Sequence, residues 1–240
     1  MAASQKSYGT QRYQSFAVKW SFTAVAGALL VTTGLAGAVN IVTNFSFEQA
    51  AVTGGTPAAG YFRTLPLGNT DMPNWGVISD SIAWINGPIN AGLGLLTAQQ
   101  GTFFLDLTDT QLSSPFGGVS QLLPTVSGTQ YQLKFWLGTS QFYNPQTGAS
   151  SLVSIAGNNI TVSSTVTTLP NSWEEKTITF TALGPTTLLA FTGIAGQDYI
   201  GLDNISIELL AVPEPSSLAM LFAGLAAIGS VVARRRKLPG

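Results

Sequence analysis

The segment Tyr131-Gln132-Leu133-Lys134-Phe135-Trp136-Leu137 sets Tyr131, Leu133, Phe135 and Leu137 on one face and Gln132, Lys134 and Trp136 on the other. A period of two belongs to a strand with one buried side. It returns in Thr177–Thr181, and no stretch between the two ends of the chain sustains a 3.6-residue period. Further strands are expected at Asn40–Glu48, Gly76–Ile85, Thr102–Leu107, Val119–Leu123, Leu152–Ala156, Ile160–Val166, Thr186–Thr192 and Tyr199–Leu209. Gly, Pro and Asn breaks separate them, and Gly157-Asn158 reads as a hairpin turn. Many short strands without a repeat of about 20–50 residues point to an all-β jelly-roll β-sandwich rather than a solenoid or propeller. The Gly- and Pro-rich stretch from Gln49 to Asn74 reads as surface loops.

Composition narrows the chemistry. Only 9% of the 240 residues are charged, and there is neither Cys nor His. Disulfides, thiolate or imidazole metal sites, and every scheme with a His base are therefore excluded. A net charge of −1 without a broad cationic surface argues against nucleic acid as a partner.

Both ends read as addresses. Lys6, Arg12 and Lys19 precede an uncharged apolar run, Ser21–Leu35, and then Ala36-Gly37-Ala38. A basic start, a short apolar core and small residues at the −3 and −1 positions make a signal peptide, residues 1–38, cut by signal peptidase after Ala38. An uncleaved N-terminal anchor is the alternative reading. At the other end, Pro213-Glu214-Pro215 precedes the apolar Ser216–Ala233 and then Arg234, Arg235, Arg236 and Lys237. As a helix, that apolar run spans about 27 Å, close to the hydrocarbon thickness of a bilayer. The basic cluster would hold its end on the cytoplasmic side.

This tail, residues 213–240, resembles the PEP-CTERM sorting signal. The resemblance implies recognition by an exosortase-type membrane protease and cleavage near Pro213–Pro215. It also implies transient anchoring in the inner membrane of a Gram-negative-type, exopolysaccharide-producing bacterium. A plain membrane anchor would explain the helix and arginines but not Pro-Glu-Pro.

The ectodomain, residues 39–212, carries a second resemblance. Asn40-Ile41-Val42-Thr43-Asn44-Phe45-Ser46-Phe47-Glu48 is similar to the opening of galactose-binding-like jelly-roll domains, with Phe45 where Gly is usual. Pro73-Asn74-Trp75, Phe104–Leu107, Gly117–Gln121, Gly128–Phe135, Trp173 and Leu202–Ser206 follow in order. The pattern resembles plant cell-wall proteins of a domain-of-unknown-function family and their bacterial surface relatives.

Leu202, Ile205, Ile207 and Leu209 are apolar, yet the step from 202 to 205 breaks the two-residue period. A β-bulge at Asp203-Asn204 is expected. The galactose-binding-like resemblance implies that the first and last strands lie together and that Glu48 and Asp203 hold a structural Ca²⁺, a hard cation suited to oxygen ligands. The alternative is that both acids accept hydrogen bonds from turn amides. For carbohydrate, Trp136 shares the polar side of its strand with Gln132 and Lys134, and Tyr143 sits in an aromatic loop. Aromatic faces stack on sugar C–H faces while amides and hydroxyls take the sugar hydroxyls. Trp75, Trp84 and Trp173 read as core or edge packing, while packing beneath a loop stays open for Trp136. An enzyme would need a carboxylate pair, drawn from Asp71, Asp80, Asp106, Asp109, Glu174 and Glu175; Glu174 and Glu175, adjacent on a strand, face opposite ways.

The ectodomain holds three bases and ten acids, a net charge of −7, while each end carries +3. Neutral, hydroxyl-rich glycans suit such a surface better than polyanions. The sequence thus points to an exported, non-catalytic protein of the cell surface or extracellular matrix that binds or organises exopolysaccharide. The alternatives are an adhesin-like structural protein without a sugar site and, third, a carboxylate-based glycan-active enzyme.

Overall fold

The structure, a computed structural model, describes residues 39–51, 54–90, 95–109, 111, 113–140, 148–164, 171–196, 199–210, 221–222 and 224–229. All belong to one compact unit, Gly37–Gly240. Ala36 and Ala38 of the expected signal peptide, Tyr143, Pro213, Glu214, Pro215 and Arg234–Arg236 lie outside the described residues. Residues 221–222 and 224–229 are helical. Among the described residues no helix is long and apolar enough to cross a membrane.

Among the described residues thirteen strands follow one another. They are β1 (Phe62–Leu65), β2 (Gly76–Ile78), β3 (Ile82–Asn86), β4 (Ile89–Asn90), β5 (Leu95–Leu96), β6 (Phe103–Asp106) and β7 (Gly118–Pro124), then β8 (Gln130–Ser140), β9 (Ala149–Ile155), β10 (Asn158–Ser164), β11 (Asn171–Thr181), β12 (Thr186–Ala195) and β13 (Gly201–Leu209). Two antiparallel sheets form the sandwich, β1-β3-β6-β13-β8-β11 and β10-β9-β12-β7-β2, with β4-β5 as a separate ribbon. From β6 to β13 every connection except the β9–β10 hairpin crosses between the sheets, which is the winding of a jelly roll.

The alternation seen in the sequence is the alternation of burial. Leu133, Phe135 and Leu137 of β8 are fully buried, while Gln132, Lys134 and Trp136 are half-buried on the outer side. Across the core, Phe135 meets Phe191 of β12 edge to face with ring centroids 4.9 Å apart. Each such side chain stabilises the sandwich by about 1.5–3 kcal/mol through burial alone.

Four local expectations change. Asn40–Glu48 is not a strand: Asn44 and Phe47 have positive φ, which takes them out of the extended conformation, and the segment instead winds over β13. Its contacts there are Ile41 N–H to Ile207 O and Ile205 N–H to Phe45 O. Gly76–Ile85 is two strands, because Ser79 at φ 70° turns the chain between them. The stretch from Gln49 to Asn74 contains β1 as well as loops. In the β9–β10 hairpin the loop is Ala156-Gly157, both at positive φ, and Asn158 already pairs with Ile155. The bulge is present: the β13–β8 register shifts between Asp203 and Ser206, with Asn204 at φ 47°.

Candidate functional site

The outer face of the six-stranded sheet has two parts. Over β3 and β6 it carries a second apolar cluster, Ala83, Ile85, Leu96, Phe104 and Tyr199, with Trp173 packed against it. The Trp173 indole N–H reaches Thr97 O at 3.1 Å, and its ring lies over Gly138 and Gly201. A Cβ at Gly138 would come within 2.8 Å of that ring, so glycine is what admits the tryptophan. Trp75 and Trp84 are buried in the main core and donate to Asn44 O and Phe47 O, both at 3.1 Å.

Beyond Gly138 lie Trp136, Lys134 and Gln132. Each has a partner on both sides in register: Glu175 and Asp203 beside Trp136, Thr177 and Ser206 beside Lys134, Thr179 and Glu208 beside Gln132. Trp136 to Gln132 covers about 14 Å along the strand. The result is a row of one half-buried aromatic ring, one amide and one ammonium, flanked by hydroxyls and carboxylates.

At the upper end of this row, Asp203 shares the outer side with Trp136 but is covered by Ser46 and by Gln99 and Gln100, so that it is fully buried. Oδ1 accepts from Ser46 Oγ–H and Asn204 N–H, both at 2.7 Å; Oδ2 accepts from Gln99 N–H at 2.8 Å and Gln100 N–H at 2.9 Å. Glu48 Oε1 accepts from Thr102 N–H and Phe103 N–H at 2.8 Å. The two acids therefore clasp one turn, residues 99–103, from two sides. A carboxylate offers about four lone-pair positions, and at Asp203 all are taken by donors whose positive ends oppose a cation. These residues do not fit a Ca²⁺ ion held by Asp203, and among the described residues no group of three acids is poised for a metal. The melting temperature is accordingly expected to stay constant when a chelator is added to the calcium-equilibrated protein. A drop of several degrees would return the ion to this turn.

Five further acids are also engaged. Asp71 pairs with Arg63, Glu174 with Lys176, and Asp80 accepts from Gln111. Asp109 accepts from Thr64 and Ser81, and buried Asp106 from Thr108 and Ile200 N–H. Burial pushes Asp106 and Asp203 up to about 6, against the lowering effect of their hydrogen bonds.

Sequence reasoning missed a hollow of about 360 Å³ beside the clasp, lined by Thr43, Asn44, Phe45, Glu48, Gln49 and Asn74. Its one sequence signal is Phe45 in the place of a glycine, which leaves an aromatic ring partly exposed there.

Over residues 211–237 the chain matches the PEP-CTERM protein-sorting motif, which implies export and a membrane-anchored sorting signal. No curated protein matches it. Among solved structures it is similar to a family 35 carbohydrate-binding module from Clostridium thermocellum, at 14% identity and TM-score 0.40, over 60% of this chain and 97% of that one. It is similar to TmCBM61 in complex with β-1,4-galactotriose, at 17% identity and TM-score 0.42, over 72% and 99%. It is also similar to the CBM22-1 xylan-binding domain of Paenibacillus barcinonensis Xyn10C, at 14% identity and TM-score 0.40, over 65% and 99%. No ligand is inferred from these likenesses. Residues 40–206, most of the jelly roll, match the family described as Protein of unknown function (DUF642), and the chain belongs to that family.

Proposed function

We propose that this chain is an exosortase-processed protein of the cell surface or extracellular matrix whose jelly roll binds or organises a neutral exopolysaccharide without catalysis. The observation that carries the reading is the row Trp136, Lys134, Gln132 on the outer face of β8. A ring outside the core, with no ring stacked on it among the described residues, can take a sugar face, and its neighbours offer hydroxyl, amide and carboxylate partners along one line. A polymer laid along this line meets several of these groups in succession. The acidic ectodomain favours an uncharged polymer over a polyanion. Tyr143 is proposed to add a second aromatic contact.

A glycan array probed with the mature secreted protein tests this. Trp136→Ala is expected to weaken binding at least about tenfold, the loss of one stacked aromatic contact. Leu122→Ala, on the opposite sheet and 64% exposed, should leave binding unchanged. Wild-type protein that retains no glycan at all would favour the adhesin-like structural role.

A further inference from the structure

We propose that two copies of this chain join edge to edge through β10, antiparallel and centred on Thr161. A sheet edge left open is a template for another strand, and proteins usually guard such edges with charge, proline, brevity or cover. Three of the four edges here are guarded. β1 is four residues long and carries Arg63, which bonds to Gly54 O and Gly55 O and pairs with Asp71. β2 is three residues long, and its outer side is taken by Gly68 N–H to Val77 O at 2.9 Å and Val77 N–H to Asn69 O at 3.0 Å. β11 is eleven residues long but points the Glu174–Lys176 ion pair toward the sandwich opening, where an added strand would have to desolvate it.

Among the described residues β10 has none of these guards. Its seven residues, Asn-Asn-Ile-Thr-Val-Ser-Ser, contain no charge and no proline, and its register against β9 runs without a shift. Among the described residues no strand lies beyond it. The two-residue loop Ala156-Gly157 makes Asn158 and Ile155 a hydrogen-bonded pair, so residues 158, 160, 162 and 164 bond to β9. The N–H and C=O groups of Asn159, Thr161 and Ser163 therefore face outward, and all three residues are exposed.

The occupant that fits this edge is the edge itself. With a two-fold axis at Thr161, residue 161 opposes 161 of the other copy and 159 opposes 163, so every outward residue of both strands exchanges both hydrogen bonds. A slip by two residues loses one of these pairs. Charge permits the approach despite the −7 of each ectodomain. None of the five strands of this sheet contains a charged residue, whereas those of the other sheet hold Arg63, Asp106, Lys134, Glu174, Glu175, Lys176, Asp203 and Glu208. Over a screening length of about 8 Å, the edge meets little repulsion.

The chain has no cysteine, so one introduced thiol reports on the pairing in the full-length protein. In Thr161→Cys the two Cα atoms of the hydrogen-bonded pair would lie about 5.5 Å apart, within disulfide reach. Oxidation followed by a non-reducing gel should give covalent dimer about a hundredfold faster than Leu122→Cys, because pairing raises the effective thiol concentration. Asn159→Cys alone should cross-link poorly, and mixing it with Ser163→Cys should restore the dimer. Adding Ser163→Pro to Thr161→Cys removes an outward N–H that an edge strand can spare and should slow cross-linking. Equal rates for Thr161→Cys and Leu122→Cys, or self-linking of Asn159→Cys as fast as Thr161→Cys, would overturn the proposal. Capture of a different protein at position 161 would replace the second copy with another strand.

Discussion

Asp203→Ala is expected to destabilise the domain by about 4 kcal/mol, because each buried donor left unpaired costs about 1–3 kcal/mol and the loss of a buried charge returns part of the total. Four donors converge on this carboxylate, three of them backbone N–H groups, and they come from separate parts of the chain: Ser46, Gln99, Gln100 and Asn204. The side chain thus joins the N-terminal segment and the 99–103 turn to the last strand. At about 2–4 °C per kcal/mol for a domain of this size, the melting temperature should fall by about 10 °C. Asp203→Asn should cost less, since its carbonyl still accepts two bonds while its NH₂ faces two donors. Glu48→Gln should cost under about 1 kcal/mol, because the exposed amide oxygen can keep both bonds to Thr102 and Phe103. Denaturant or thermal unfolding of the three variants checks the order. An Asp203→Ala protein as stable as wild type would show that the clasp carries no weight.

The bulge that follows Asp203 was legible because parity is a local property: a single extra residue between Leu202 and Ile205 is visible in a string of letters. The same is true of β8, whose apolar and polar residues alternate without interruption. Asn40–Glu48 has equally good alternation and still is not a strand. Its partner-forming groups are diverted by left-handed Asn44 and Phe47, whose conformations are held by contacts far along the chain, such as the indoles of Trp75 and Trp84. The split between a charged and an uncharged sheet was likewise hidden. It follows from strand order, which places β10, β9, β12, β7 and β2 side by side although they come from residues 76–195. Of the candidate site, the shared face of Gln132, Lys134 and Trp136 follows from spacing alone. The clasped turn at 99–103 does not, since nothing in the sequence ties it to position 203.

Between about pH 5 and pH 7.5 the protein is expected to become less stable as the pH rises. Asp106 and Asp203 are the cause. Each is pushed up to about 6 by burial, which disfavours the charged form more than the surrounding hydrogen bonds favour it, and Asp109 adds a further raise at Asp106. In the unfolded chain the same groups titrate near 3.8. The folded state therefore holds protons that the unfolded state has released. The stability these protons supply is complete below 3.8 and is lost as the pH climbs through about 6. Each group should lose about 1 kcal/mol between pH 5 and pH 7, so the pair should lower the melting temperature by about 5 °C over that range. Asp80 works in the opposite sense, held down by Gln111 and the Ser81 amide, but its influence lies below 3.8 and outside this window. Melting curves at several pH values, repeated on Asp106→Asn, separate the contributions. The variant removes one titrating group and should show about half the slope. A melting temperature that rises from pH 5 to pH 7.5, or an unchanged slope in Asp106→Asn, would mean that these carboxylates are already ionised in the fold and that the four donors at Asp203 outweigh its burial.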